Sequence, residues 1–268
     1  MLKSWLAHPL THGLDLDSSE TTALRLRIIQ EKPFLRRIYL EWYTILTEAL
    51  NNKVGDSILE LGSGGGFLNE MLPGLITSDV IPLSQVDVVL DGHCLPFQTA
   101  ALGGILMTNV LHHLPQPRAF FNEAARCVQP GGMIAMIEPW MSPWSRLVFG
   151  KLHHEPFQPQ AQDWSFPQSG PLSGANGALP WIIFHRDRAK FEEEFSTLRI
   201  QTIRPCMPFR YLVAGGISMR NLMPNATYPF WRWLENILRP WMRFLAMFAS
   251  IVLVRVTPPG KSPVERNE

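Results

Sequence analysis

Glu60-Leu61-Gly62-Ser63-Gly64-Gly65-Gly66-Phe67 is the stretch on which the fold turns. The apolar residues just before it, 57–61, read as a short strand, and a helix is expected from about Phe67. Glycines at 62, 64 and 66 permit backbone angles that other residues avoid and let a ligand lie against the main chain. Amides left free at a helix start favour an anionic group such as a carboxylate. A Gly-rich turn alone, however, is weak evidence for any one ligand.

Outward from this turn the same alternation continues. Residues 75–79, 86–90, 104–108 and 133–138 read as strands and 118–127 as a helix ended by Gln129-Pro130-Gly131-Gly132. Short apolar strands alternating with helices predict a parallel sheet covered on both faces. Upstream, 19–31 and 34–50 read as helices; Pro33 suits the first turn of the second. There Leu35, Ile38, Trp42, Ile45 and Leu46 make an apolar stripe at helical spacing, read as core. Downstream, 141–185 is rich in Pro, Gly, Trp and His without clean periodicity and reads as an ordered lid. A helix (188–195), a strand (198–204), aromatic-rich helices and a last strand (250–256) come next, then a tail expected to be disordered.

Bulk composition narrows the class. With 268 residues, 46% of them hydrophobic, the chain can bury a core without staples. A net charge of +1 gives no reason to expect nucleic acid. Cys94, Cys127 and Cys206 are odd in number and scattered, fitting neither a disulfide framework nor a paired zinc motif. No signal peptide is recognised at the start, and the longest apolar run, 244–254, falls short of the roughly 20 residues that span a bilayer. A cytoplasmic protein is expected, with a peripheral membrane position left open by its C-terminal third.

Three ligand classes use such a Gly-rich turn. A nucleotide-triphosphate loop needs a Lys that is absent here, and a dinucleotide fingerprint would place Phe67 where a small residue packs. Acidic-x-Gly-x-Gly-x-Gly is matched throughout by Glu60, Gly62, Gly64 and Gly66. Downstream stand Asp91-Gly92-His93-Cys94-Leu95-Pro96-Phe97, Thr108-Asn109-Val110-Leu111-His112-His113-Leu114 and Val128-Gln129-Pro130-Gly131-Gly132. In this order the four elements resemble class I S-adenosylmethionine-dependent methyltransferases, over roughly the middle third of the chain.

The resemblance implies a Rossmann-like, seven-stranded, mostly parallel α/β sheet with its last strand antiparallel at the edge. One domain over 1–256 is expected: a helical cap (1–50), a cofactor-binding core (51–140), a lid (141–185) and C-terminal helices and strands (186–256). It also implies S-adenosylmethionine as cofactor, held by Glu60, Gly62, Ser63, Gly64, Gly66, Asp79, Asp91, Gly92 and Asn109. Asp79 would bind the ribose hydroxyls and Asp91 the adenine amino group. Asp79 lies only 13 positions after Gly66, whereas the family usually allows a longer helix there.

Methyl transfer from a sulfonium needs chiefly in-line placement of the acceptor, with a base only when the acceptor must lose a proton. The candidates are His112, His113, Glu138 and, in the lid, His153, His154 and Glu155. No metal is expected: adjacent histidines on an extended segment point oppositely, and no carboxylate cluster completes a site. The alternatives kept beside methyl transfer are a non-catalytic or regulatory cofactor-binding protein on the same fold and, behind it, an oxidoreductase.

The acceptor is read as a small or lipid-like molecule. Between 198 and 244, Arg199, Arg204, Arg210, Arg220, Arg232, Arg239 and Arg243 face a single acidic residue, Glu235, and interleave with aromatics. The favoured reading is a helical cap with packed aromatics and solvated arginines. An anionic lipid surface or phosphorylated lipidic acceptor comes second, and stacked single-stranded RNA a distant third. Oligomeric state is not legible.

Overall fold

The computed structural model describes residues 8, 17–50, 57–153, 155–167, 170 and 174–257. The expected disordered tail lies outside them apart from Thr257, as does His154.

Two helices open the described chain. In α1 (Ser19–Glu31) the Ser18 hydroxyl caps the first turn by accepting the Thr21 N–H. Then α2 (Pro33–Ala49) starts on Pro33, whose missing N–H costs nothing there. The stripe predicted on α2 is core: Leu35, Ile38, Trp42 and Leu46 are fully buried, and Ile45 packs at the cluster's edge. Burying a large apolar side chain contributes about 1.5–3 kcal/mol, so this face anchors α2 to the sheet.

Five strands run parallel: β1 (Ile58–Leu61), β2 (Ile76–Asp79), β3 (Val88–Val89), β4 (Leu102–Thr108) and β5 (Val128–Pro139). Between β4 and β5 lies α3 (Pro117–Cys127). Then come α4 (Pro143–Leu152), α5 (Arg188–Glu194), β6 (Leu198–Cys206), α6 (Tyr228–Ile237) and β7 (Phe248–Arg255). Strand order is β3-β2-β1-β4-β5-β7-β6, with β7 antiparallel to both neighbours. Seven strands, mostly parallel, were expected and are present. One face packs on α2, the other on α3, α5 and the turns at 179–186.

Three expectations change. The last strand is antiparallel but not at the edge: β7 inserts between β5 and β6, and β6 takes the edge. Its run Ser250–Val254 is buried throughout, with both edges paired to neighbouring strands and both faces covered. The helix expected from Phe67 is a single 3-10 turn, Leu68–Glu70, because Pro73-Gly74 comes too soon for an α-helix. The helix-dipole argument for an anion at the Gly-rich turn falls with it. Lastly, the segment 141–185 contains α4, which has no clean periodicity. Its signal is a capping box: the Ser142 hydroxyl accepts the Ser145 N–H, the Ser145 hydroxyl accepts the Ser142 N–H, and Pro143 comes directly after the cap.

Candidate active site

At the carboxyl edge of β1, β2 and β4 the chain leaves a cavity of about 520 Å³. All nine residues expected to hold the cofactor line it: Glu60, Gly62, Ser63, Gly64, Gly66, Asp79, Asp91, Gly92 and Asn109. Open parallel sheets place ligands at this edge.

The loop is built by backbone geometry. Gly62 and Gly64 have φ of +68° and +49°, where a Cβ is strained. A Cβ on Gly62 would also lie 2.6 Å from a Val110 methyl carbon. Ser63 ties the loop to β2, its N–H donating to the Ser78 carbonyl (2.7 Å) while its hydroxyl accepts the Ser78 N–H (3.2 Å). From above, Tyr43 of α2 accepts the Phe67 N–H through its hydroxyl (3.1 Å), and α1 lies so close that a Cβ on Gly65 would meet the Leu26 nitrogen at 2.7 Å. Thus α1 roofs the loop, and Thr21, Thr22, Arg25, Ile28 and Ile29 join the lining. Nothing in the periodicity of 19–31 signals that role.

The carboxylates divide the work. Asp79 ends β2, and its two oxygens accept the Gly64 and Ile81 N–H groups, both at 2.9 Å. It therefore shapes the loop as well as facing the cavity. Burial pushes its carboxyl upward against those two hydrogen bonds. Glu60 is almost wholly buried; burial and the nearby Asp79 charge push its carboxyl up to about 7, against a Ser63 hydrogen bond that lowers it. Asp91 is half exposed and accepts the His93 N–H (2.9 Å), with His93 Nδ1 2.6 Å from the same oxygen. The Leu95-Pro96-Phe97 element is clamped from α3: Arg126 donates to the Phe97 and Leu95 carbonyls (2.7 and 2.9 Å), and Glu123 accepts the Leu95 N–H (2.8 Å).

Just after β4, Asn109 sits at φ +58°, a left-handed position that Asn tolerates better than most residues. Among the described residues, Asn109 Oδ1 and Thr108 Oγ1 are buried without a hydrogen-bond partner, and both residues line the cavity. An unmet buried polar atom costs about 1–3 kcal/mol, so this wall is complementary to a polar ligand.

Next, 111–113 is a 3-10 turn rather than an extended segment, so its two imidazoles share a side, ring centroids 4.2 Å apart. That overturns the expectation that His112 and His113 diverge. Glu138, fully buried behind this wall, accepts the Val110 and Leu111 N–H groups (2.8 and 2.7 Å) and binds His112 Nδ1 at 2.7 Å. Its contacts make Glu138 a positioning residue instead of an acid or base facing the cavity.

The lid supplies Glu155, with an oxygen 3.5 Å from His112 Nε2 and the other 3.8 Å from His113 Nε2. His153 adds Nδ1 at 3.7 Å from Glu155 and accepts the Glu155 N–H (3.3 Å). Burial works against a charged His112, but Glu138 and Glu155 outweigh it and hold the imidazole up at about 9. Burial and the His112 charge push His113 down to about 4. The carboxylates on either side thus raise His112, while burial and its neighbour lower His113. The lid is latched by Asn176, which donates its N–H to the His112 carbonyl (2.9 Å), and by the bond between His113 Nδ1 and the Gly174 carbonyl (3.0 Å).

The remaining wall is apolar: Phe149, Leu152, Phe157, Tyr211, Phe248 and Met219. Lys32, at the α1–α2 junction, donates to the Gly216 and Met219 carbonyls (2.6 and 2.9 Å) and pins the 211–219 segment in place.

The C-terminal arginines split. Arg210 is buried, with Nε 2.6 Å from Glu235 and a terminal nitrogen 2.7 Å from Glu41. It is not the solvated charge expected. Arg232, Arg239 and Arg243 are exposed beside Phe230, Trp233, Ile237, Trp241 and Phe244, all large side chains left 43–57% exposed. Among the described residues no helix is long and apolar enough to cross a membrane.

Residues 59–136 match the family model of a methyltransferase domain. An uncharacterized methyltransferase of Mycobacterium leprae is 26% identical over 154 residues, an overlap of 51% of each chain. The chain thus spans about half the length of the curated relatives it matches. A geranyl diphosphate methyltransferase, solved with GPP and sinefungin, superposes with a TM-score of 0.51 at 12% identity, covering 94% of this chain and 89% of that one. A chain of a complex containing the Haloferax volcanii Trm112 methyltransferase activator does so at 0.50 and 13%, covering 91% and 98%. Residues 59–136 are therefore similar to a methyltransferase domain, and the sheet that carries them has the Rossmann-like α/β fold of these two solved structures.

Proposed function

We propose that this protein binds S-adenosylmethionine at the Gly-rich end of the cavity and transfers its methyl group to a small or lipid-like acceptor at the aromatic end. The observation that carries the reading is one cavity lined both by the 62–66 loop and by His112, His113 and the aromatic side chains. S-adenosylmethionine, when bound, supplies an electrophilic methyl carbon. Glu60, Asp79, Asp91, Gly92 and the 62–66 loop would hold the nucleoside, and the unmet Asn109 and Thr108 oxygens would receive its polar groups. The lid and α1 exclude water and hold the acceptor in line, the main protein contribution such a transfer needs.

Calorimetry on the folded protein should show one site for S-adenosylhomocysteine. Gly64→Val should weaken it about tenfold or more, since a branched side chain at φ +49° costs about 1–2 kcal/mol in the loop. Wild-type protein that binds neither S-adenosylmethionine nor S-adenosylhomocysteine would defeat the reading.

The same proposal includes peripheral contact with an anionic membrane. Phe230, Trp233 and Ile237 share one face of α6, Trp241 and Phe244 extend it, and Arg232, Arg239 and Arg243 stand beside them. Aromatic rings beside arginines suit the headgroup boundary. Co-sedimentation with vesicles should rise with phosphatidylserine content and fall for Trp233→Ala/Trp241→Ala. Equal pelleting with and without lipid would remove this part.

A further inference from the structure

We propose that His112, His113 and Glu155 form a binding site for a divalent transition-metal ion of the zinc type, open toward the cavity. Their ligand atoms, two imidazole nitrogens and a carboxylate oxygen, all lie within 4.8 Å of one another. They come from two sources far apart in the chain, the 3-10 turn after β4 and the lid after α4.

The ring orientations point to an ion rather than to a chance cluster. His112 Nδ1 is 2.7 Å from a Glu138 oxygen, and His113 Nδ1 is 3.0 Å from the Gly174 carbonyl. A carboxylate and a carbonyl only accept, so each Nδ1 carries the hydrogen and each Nε2 turns toward Glu155. Metal-binding histidines are held in this way, by a carboxylate or a backbone carbonyl on the far nitrogen. Glu138 is itself fixed by the Val110 and Leu111 N–H groups, which makes the support rigid.

The spacing agrees. The 3.5 and 3.8 Å separations between Nε2 atoms and Glu155 oxygens are long for hydrogen bonds. They lie near the ~3.4 Å between two ligands of a tetrahedral site with bonds of about 2.0–2.1 Å. Two imidazoles and one carboxylate are the ligand set of open zinc sites and of non-haem iron sites. Three protein ligands leave positions facing the cavity, suited to an acceptor that bears a hydroxyl or phenolic oxygen. That last point rests on the methyl-transfer reading; ion binding does not.

The full chain, stripped with a chelator, should bind one Co²⁺ with visible d–d absorption and one Zn²⁺ by elemental analysis. Glu155→Gln and His113→Ala should each lower affinity by about 100-fold or more. Glu138→Gln, which removes no ligand, should lower it about 10–100-fold. If Glu138→Gln fails to fold, Glu155→Gln and His113→Ala, which alter a lid residue and a cavity-wall residue, decide alone. Wild-type protein that binds no ion stoichiometrically, or variants that bind as tightly as wild type, overturn the proposal. S-adenosylhomocysteine calorimetry on the same samples separates the two failures: intact binding without an ion ends the metal site and leaves the methyl-transfer reading standing.

Discussion

Arg210→Met should destabilise the protein by about 3–5 kcal/mol, the loss expected when one partner of a buried ion pair is removed. Glu235 would then be a carboxylate buried to 5% exposure with only the backbone N–H groups of residues 209 and 210 to hold it (3.0 and 2.8 Å). The Tyr228 hydroxyl, which also accepts from Arg210 (2.9 Å), would lose its donor. Arg210→Met/Glu235→Gln should recover most of the loss, because Gln keeps an oxygen for the two N–H groups and removes the stranded charge. Denaturant unfolding checks both: the single variant lowers the midpoint at unchanged slope, and the double variant returns toward wild type. A single-variant loss below about 1 kcal/mol would match a surface pair instead. The pair's place explains its weight. It joins α6 and the turn at 210–213 to Glu41 of α2, so the aromatic C-terminal segment is bolted to the helix that backs the sheet.

Glu60 should make the protein without bound cofactor less stable as pH rises from about 4.5 to about 7. Its carboxyl is raised by burial, so over that window the native state keeps a proton the unfolded chain has released. Stability from this group is complete below the unfolded value and is lost as pH climbs through the folded one. With the folded value near 7, the loss is about 3 kcal/mol and levels off above it. Glu60→Gln carries no such charge. The two proteins should therefore unfold alike at about pH 4, below both values, and at pH 8 the variant should be more stable by up to about 3 kcal/mol. Parallel pH profiles would show that Glu60 is solvated. The same variant should bind S-adenosylhomocysteine less well, which would make Glu60 a charge kept for the ligand at the expense of the fold.

Much of the Gly-rich end of the cavity is legible in the sequence because it depends on local backbone demands. Four glycines within the five residues 62–66, directly after an apolar strand, require a turn with unusual angles. Gly62 and Gly64 adopt them, and all nine residues expected around the cofactor face one cavity. The helix read from about Phe67 is cut to one turn by Pro73-Gly74, a local stop that outweighs the strand–turn–helix alternation. In α4 the legible signal is the Ser142/Ser145 cap, because the helix itself lacks the periodicity that marks α2.

The loop at 60–67 and the alternation around it were determined by sequence alone, since glycine, proline and the strand period act on their own few residues. The tertiary structure decided the rest. It seated β7 between β5 and β6, laid α1 on Gly65, buried Arg210 between Glu235 and Glu41, and brought Glu138 and Glu155 to either side of His112. These are pairings between residues tens of positions apart. What selects them is the cost of leaving a buried polar group or a strand edge without a partner, and no local pattern records which distant residue will meet that cost.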